Sequence, residues 1–295
     1  MSSAWRQAAA WAAHMPELAG RRPVAVRAFR DGLSIVGAGV LVLLLVASPG
    51  TDSHAYWAFD VSAPYQASTA ALGQHDAFFY APPVALALVP LHLLPWPVFR
   101  VAWLCLEFAA LVAVSRSWAL ALVAVYPVAL ELSAGNVDLL LAAVVVLGFR
   151  YPAAWSFALL TKVTPGIGLL WFAVRREWRA LGLTALATAA LVGASLMVVP
   201  AWWPQWLAAL GSNVGTVPPA SAPHLPVSLP LRILAAGALT TWGARGNRRW
   251  MLPVAVTLAL PELWIAGLSV LAGCVLLAGP ARRVARGANQ SEGVI

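Results

Sequence analysis

Lys162 lies in the apolar stretch Leu-Leu-Thr-Lys-Val-Thr-Pro-Gly-Ile-Gly and is the one lysine among 19 basic residues. A cation at membrane depth costs about 3 kcal/mol on insertion scales, so such a residue usually faces a cavity and has a partner. Two uses fit the chemistry. Lys162 can snorkel from a helix end to headgroup phosphates, or it can hold a phosphate inside a protein-lined cavity. The Thr-Pro-Gly that follows favours the cavity, because a helix broken at depth is tolerated only where protein or a cavity surrounds it.

Carboxylates supply the complementary chemistry. Asp52 falls in Gly-Thr-Asp-Ser-His-Ala-Tyr-Trp, just after the first apolar segment. An acid at a membrane boundary can act as general base towards a substrate hydroxyl. His54 and Tyr56 beside it are candidates to position substrate. Asp60, Asp76 and His75 read as solvated loop residues of the same kind. Further on, Tyr80-Ala-Pro-Pro brings the chain back to apolar sequence, and Gly135-Asn136-Val137-Asp138 separates two apolar segments. Glu107, Glu131, Asp138 and Glu262 all fall near or within apolar runs. Pairing with Arg100, Arg116 or Arg232 would account for any one of them.

The elements that must place these groups are membrane helices. With 61% hydrophobic residues, 10% charged residues and 15 tryptophans in 295, the chain lies outside the soluble range. It reads as an all-α polytopic membrane protein with short and re-entrant helices and no soluble domain. Residues 1–31 form an Arg-rich cytoplasmic segment, 32–279 the multi-pass domain, and 280–295 a polar tail. The absence of an apolar run among the first thirty residues argues against a cleaved signal peptide.

The net charge of +8 comes from short arginine clusters at the ends of apolar segments. That is a topology signal, and nucleic acid is not an expected partner. Cys105 and Cys274 have no C-x-x-C spacing, so neither a disulfide framework nor a zinc site is indicated. No Walker A loop, Rossmann glycine pattern, H-E-x-x-H or G-x-S-x-G occurs. Arg-over-Lys usage with abundant Ala, Pro and Trp points to a GC-rich bacterial genome.

The positive-inside rule places the N-terminus, Arg175–Arg179, Arg245–Arg249 and Arg282–Arg286 in the cytoplasm. Outer loops then cover about 48–79 and 200–228, the second opening on Trp202, Trp203 and Trp206. Segments 32–48, 180–199 and 228–244 approach the ~20 residues of a spanning helix. Five simple crossings between 80 and 174 would leave Arg116 and Arg150 outside. A hairpin of two half-helices over 151–174, with Lys162 at its outer tip and a re-entrant 80–96, keeps both inside. Residues 250–279 read as a second short hairpin or as a single span. No internal repeat is evident, so the inverted-repeat sign of a secondary transporter is missing.

An Asp after the first helix, Tyr-x-Pro-Pro, Gly-Asn before a short apolar helix, Lys-x-x-Pro and Arg-Arg-x-Trp-Arg together resemble glycosyltransferase family 87. The likeness covers about residues 30–200 and is strongest over 135–179. These GT-C-type enzymes include polyprenyl-phosphate-mannose-dependent α-mannosyltransferases of actinobacteria. The resemblance implies a GT-C-like helical bundle in the bacterial plasma membrane, with its active site facing outside and no cofactor. Asp52 would be the catalytic base of an inverting transfer, and Lys162 would hold the donor phosphate. Tyr80 and Asn136 would line the sugar pocket, with His54, Tyr56 and Asp138 as further substrate contacts. The partners would be a polyprenyl-phosphate-sugar donor and a glycolipid or glycan acceptor. The usual Gly-Gln-x-Asn appears here as Gly-Asn-Val-Asp, and family members are commonly longer. From other classes, a lipid or lipid-linked-sugar flippase and a non-catalytic polytopic subunit also fit the composition.

Overall fold

A computed structural model describes residues 3–66, 77–212 and 225–278, with the side chains of the first helix described from residue 24 onward. The described residues form helices and no sheet. Three helical stretches are long and apolar enough to cross a membrane: Val24–Ala58, Trp96–Val123 and Trp178–Val198. Their outer faces expose Ile35, Val46, Leu186 and Met197, a surface suited to lipid and costly in water. The chain is an all-helical membrane protein. His75, Asp76 and Arg282–Arg286 lie outside the described residues.

The breaks between helices matter more here than the helices. α1 (Ser3–Ala47) ends at Ser48-Pro49-Gly50, where Gly50 is left-handed at φ 59°. The carbonyls orphaned by that ending need donors. Arg100, from α4 (Trp96–Ser115), donates to the carbonyls of Leu44 (3.2 Å), Leu45 (2.7 Å) and Ser48 (3.0 Å). The chain then restarts as α2 (Thr51–Ala58), a helix inside the stretch read from sequence as the first outer loop. Asp52 occupies its first turn, and α3 (Pro82–Leu88) follows.

α4 is followed by a 3₁₀ turn over Arg116–Trp118 and by α5 (Ala119–Val123). α5 packs on α1 at Gly37, where a Cβ would lie 1.7 Å from the Leu120 carbonyl oxygen, so only glycine permits this approach. α6 (Tyr126–Ala134) and α7 (Asp138–Leu147) form a pair bent by 109° at Gly135-Asn136-Val137. α8 (Trp155–Thr161) returns the chain and stops at Lys162, whose backbone is extended. A 3₁₀ stretch, Thr164–Leu169, and α9 (Leu170–Val174) run back beside α8. The rings of Trp155 and Phe172 meet across the two limbs, and Trp171 packs edge-on against Phe149, which precedes the hairpin. Residues 151–174 therefore form a hairpin of two half-helices with Lys162 at its tip.

α10 (Trp178–Val198) and α11 (Trp202–Ser212) follow. The segment expected to span at 228–244 is α12 (Leu229–Arg245), only 17 residues long and not among the helices long and apolar enough to cross. Its buried Arg232 donates to the carbonyls of Val227, Leu258, Leu260 and Pro261. α12 is thereby tied to the end of α13 (Met251–Leu258). After a 3₁₀ stretch, Ala266–Ala272, α14 (Gly273–Leu277) lies beside the start of α13. The Cys274 thiol donates there to the Trp250 carbonyl at 3.3 Å, so residues 250–277 double back as a hairpin.

The bundle has two chemically different ends. Arg249 stacks over Phe149, Arg175 donates to the Ala244 carbonyl and Arg248 covers Trp242. Arg150, next to Phe149, joins this basic end. The opposite end gathers the tip of the 151–174 hairpin, the α6–α7 turn and α2.

Candidate active site

The site is built on one turn. Gly135 ends α6 at φ 74°, a left-handed conformation that glycine adopts at least cost. A Cβ there would lie 2.5 Å from the Ser53 hydroxyl, and the Gly135 carbonyl accepts from Trp103 Nε1 at 2.8 Å. The preceding Ser133 carbonyl accepts from the Ser48 hydroxyl (2.7 Å) and from the Gly50 amide (3.0 Å). The α1–α2 break and the α6–α7 turn are thus tied together, and Asp52 meets Asn136.

Asn136 Nδ2 donates to Asp52 Oδ2 at 2.6 Å. The amide has one sensible orientation, because its Oδ1 accepts from the Val137 amide (2.7 Å), the Tyr80 hydroxyl (3.1 Å) and, more weakly, the Tyr56 hydroxyl (3.4 Å). The two phenol oxygens lie 2.7 Å apart, so Tyr56 donates either to Tyr80 or to Asn136, while Tyr80 donates to Asn136. Tyr80 is brought in by the Ala81 amide, which donates to the Leu160 carbonyl in the last turn of α8. Tyr56 and Tyr80 are buried in an aromatic cluster with Phe78 and Trp103.

The second arm starts two residues after Asn136. Asp138 is 2% exposed and its carboxylate takes the Lys162 ammonium at 2.5 Å, while Lys162 remains 14% exposed. Lys162 and Asp138 are both electrostatic neighbours of Asp52. One turn therefore holds a carboxylate facing a hydroxyl-rich corner and a lysine on a broken helix. Such a pairing can take a proton at one point and stabilise an anion at another.

Of the residues singled out in the sequence, Asp52, Tyr56, Tyr80, Asn136, Asp138 and Lys162 come together. Asp138, expected as a substrate contact, is paired with Lys162 and 2% exposed. The His54 ring packs edge-on against Trp96 at 4.8 Å and tilts towards Trp57, which makes it part of the wall under α2. Asp60 is a solvated loop acid: the amide and hydroxyl of Ser62 donate to it at 2.8 Å each and hold its carboxyl below the usual range.

The expected pairing of buried acids with arginines is corrected. Arg100 satisfies backbone carbonyls instead, and Arg232 donates to four carbonyls while keeping Glu262 as an electrostatic neighbour, because helix breaks leave orphan acceptors that a fork of donors serves well. Glu131 accepts the Asp138 amide at 2.6 Å. Glu107 is fully buried near it, with both carboxyl oxygens lacking a hydrogen-bond partner. Trp103 and Ser53 are supporting residues that sequence reasoning missed, and Glu131 was singled out only as an acid in an apolar run, not for its hold on the turn. A Glu four residues before Gly-Asn, inside an apolar helix, was the available signal. Among the described residues no group of three or more His, Cys, Asp or Glu is placed to hold a metal ion.

An open apolar groove of about 540 Å³ is lined by Ile167, Leu170, Ile233, Leu234, Trp242 and Arg245. None of Asp52, Tyr56, Tyr80, Asn136, Asp138 and Lys162 lines it.

The turn gives a direct test. Replacing Gly135 with Ala forces an L residue into the left-handed region, costing about 1–2 kcal/mol, and drives a methyl into Ser53. Because both arms of the site hang on this turn, Gly135→Ala is expected to lower kcat/KM at least about tenfold even in protein that still folds. Wild-type kcat/KM in purified, thermally stable Gly135→Ala would show that the turn does not set the site.

A polytopic helical protein with a carboxylate and a lysine converging on a polar corner at one end of its bundle belongs to the membrane-embedded transferases and transporters, and the sequence comparison decides between them. Residues 78–292 match the model of Glycosyltransferase family 87, well over half of the chain. The chain belongs to that family and is a membrane glycosyltransferase. No curated protein and no solved structure matches it. The match begins at residue 78, so Asp52 and Tyr56 join the site through geometry alone.

Proposed function

We propose that the chain transfers a sugar, most specifically mannose, from a polyprenyl-phosphate donor to a hydroxyl of a lipid-linked or cell-envelope glycan, inverting the anomeric centre. The observation that carries this reading is the single Gly135–Asp138 turn, which holds both Asp52, through Asn136, and Lys162, through Asp138. The acceptor oxygen attacks the anomeric carbon and gives its proton to Asp52. The bond from that carbon to the phosphate oxygen breaks, and its electron pair leaves on the lipid phosphate. Lys162 faces the charge that grows there, and a cation fixed in a poorly solvated cavity stabilises such charge strongly. Tyr56 and Tyr80, with their hydroxyls at Asn136, form the wall of the sugar pocket behind it.

A lipid donor is in keeping with the membrane setting of the site, since a prenyl chain can remain in the bilayer while its phosphate meets Lys162 at the hairpin tip. The basic end carrying Arg150, Arg175, Arg248 and Arg249 faces the cytoplasm by the positive-inside rule. The site end then faces outward in a bacterial plasma membrane, with α2 and α11 in the outer loops and Pro82–Leu93 re-entrant. Asp52→Asn separates this reading from a flippase, which would not need a base.

The test is an assay of membranes containing the protein with polyprenyl-phosphate-[¹⁴C]mannose and endogenous glycolipid. Label is expected to pass into glycolipid, and the α-linkage of the product, set against a β-linked donor, reports inversion. No transfer from this donor, together with transfer from a nucleotide sugar, would overturn the assignment.

A further inference from the structure

The remaining buried groups differ in what they can carry. The apolar groove is lined by none of the site residues. Glu107 lies near Glu131 but makes no hydrogen bond to the turn. Glu131 does, because its Oε1 accepts the Asp138 amide at 2.6 Å from within α6, on the opposite side of the turn that presents Asn136 and Asp138.

That bond lies where a helix needs one. α7 starts after Val137, which has no side chain able to cap it, and the first amides of a helix otherwise lack acceptors. Glu131 serves as a cap delivered from another helix, across a bend of 109°. Holding the Asp138 amide fixes the backbone of residues 136–138, from which one side chain reaches Asp52 and the other reaches Lys162. Glu131 itself is fully buried.

We propose that Glu131 is a positioning residue for the transfer, acting through the Asp138 amide to hold the base-side and phosphate-side arms in one geometry. The proposal rests on the glycosyltransferase reading of the same site. Its two consequences are separable, one in the turn's backbone and one in turnover.

The experiment compares Glu131→Leu, Glu131→Gln and Glu107→Gln in the full chain, purified in detergent. Leucine fills the volume and removes the acceptor. Replacing a buried acid by an apolar residue of similar size is compatible with folding. Glutamine keeps an oxygen for the amide. Hydrogen–deuterium exchange of the 135–141 segment is expected to rise about tenfold in Glu131→Leu, and to stay near wild type in Glu131→Gln and Glu107→Gln. With polyprenyl-phosphate-mannose, kcat/KM is expected to fall about 100-fold in Glu131→Leu, as for a small misplacement of reacting groups. Glutamine, which keeps an oxygen acceptor for the Asp138 amide, is expected to rescue it to within about fivefold. Unchanged exchange in Glu131→Leu, or glutamine failing as badly as leucine, overturns the proposal. Raised exchange in Glu131→Leu with no transfer even in wild type upholds the backbone role and assigns the failure to the donor reading instead.

Discussion

Replacing Asp52 with asparagine is expected to lower kcat by about 10³-fold, within the range that a positioned general base contributes, while KM for the donor stays within a few-fold of wild type. The geometry makes this substitution unusually clean. Asn136 presents Nδ2 to residue 52 because its Oδ1 is already taken by the Val137 amide and the Tyr80 hydroxyl. An asparagine oxygen at 52 can accept the same hydrogen bond, so the α2 turn and the Asn136 amide have no reason to move. What disappears is the capacity to receive the acceptor's proton. Kinetics with polyprenyl-phosphate-mannose and a soluble glycan acceptor separate the two parameters. A kcat within tenfold of wild type would remove Asp52 from the chemistry and return it to the role of a helix N-terminal acid, which interacts favourably with the helix dipole.

The chemistry was more legible in the sequence than its support. Composition and arginine placement gave a multi-pass helical protein, and the Pro-Gly after Lys162 and the arginine at 150 together gave the hairpin over 151–174. Those signals are local: a helix cannot run through Thr-Pro-Gly without breaking, and an arginine has to end near water or on carbonyls. What a one-dimensional reading could not supply is which partner each buried group takes. Arg100 looked like the answer to a buried glutamate, but the α1–α2 break offers it three carbonyls at once. α2 was equally hidden, since eight residues without apolar periodicity read as loop until Arg100 and Ser133 stabilise the break that precedes it. Glu131 appeared to need a cation, and its partner is an amide seven residues later.

The same dependence on context sets the consequence of removing Lys162. Lys162→Met leaves the Asp138 carboxylate enclosed with no cation, and breaking a buried pair from one side typically costs about 3–5 kcal/mol. It also removes the charge proposed to face the leaving phosphate, a loss of about 10²–10³ in kcat by analogy with a deleted oxyanion donor. These two effects can be told apart by the double variant Lys162→Met/Asp138→Asn. Neutralising both partners relieves the stranded carboxylate, so thermal stability in detergent is expected to recover most of what the single variant lost. Transfer is expected to stay at the level of the single variant, because nothing then faces the phosphate. Recovery of transfer alongside stability would mean that Lys162 only neutralises Asp138, and the phosphate would have to be held elsewhere. Arginine at 162 is a weaker probe: the hairpin tip is built around a single ammonium at 2.5 Å from Asp138, and a planar fork presents its donors in a different shape.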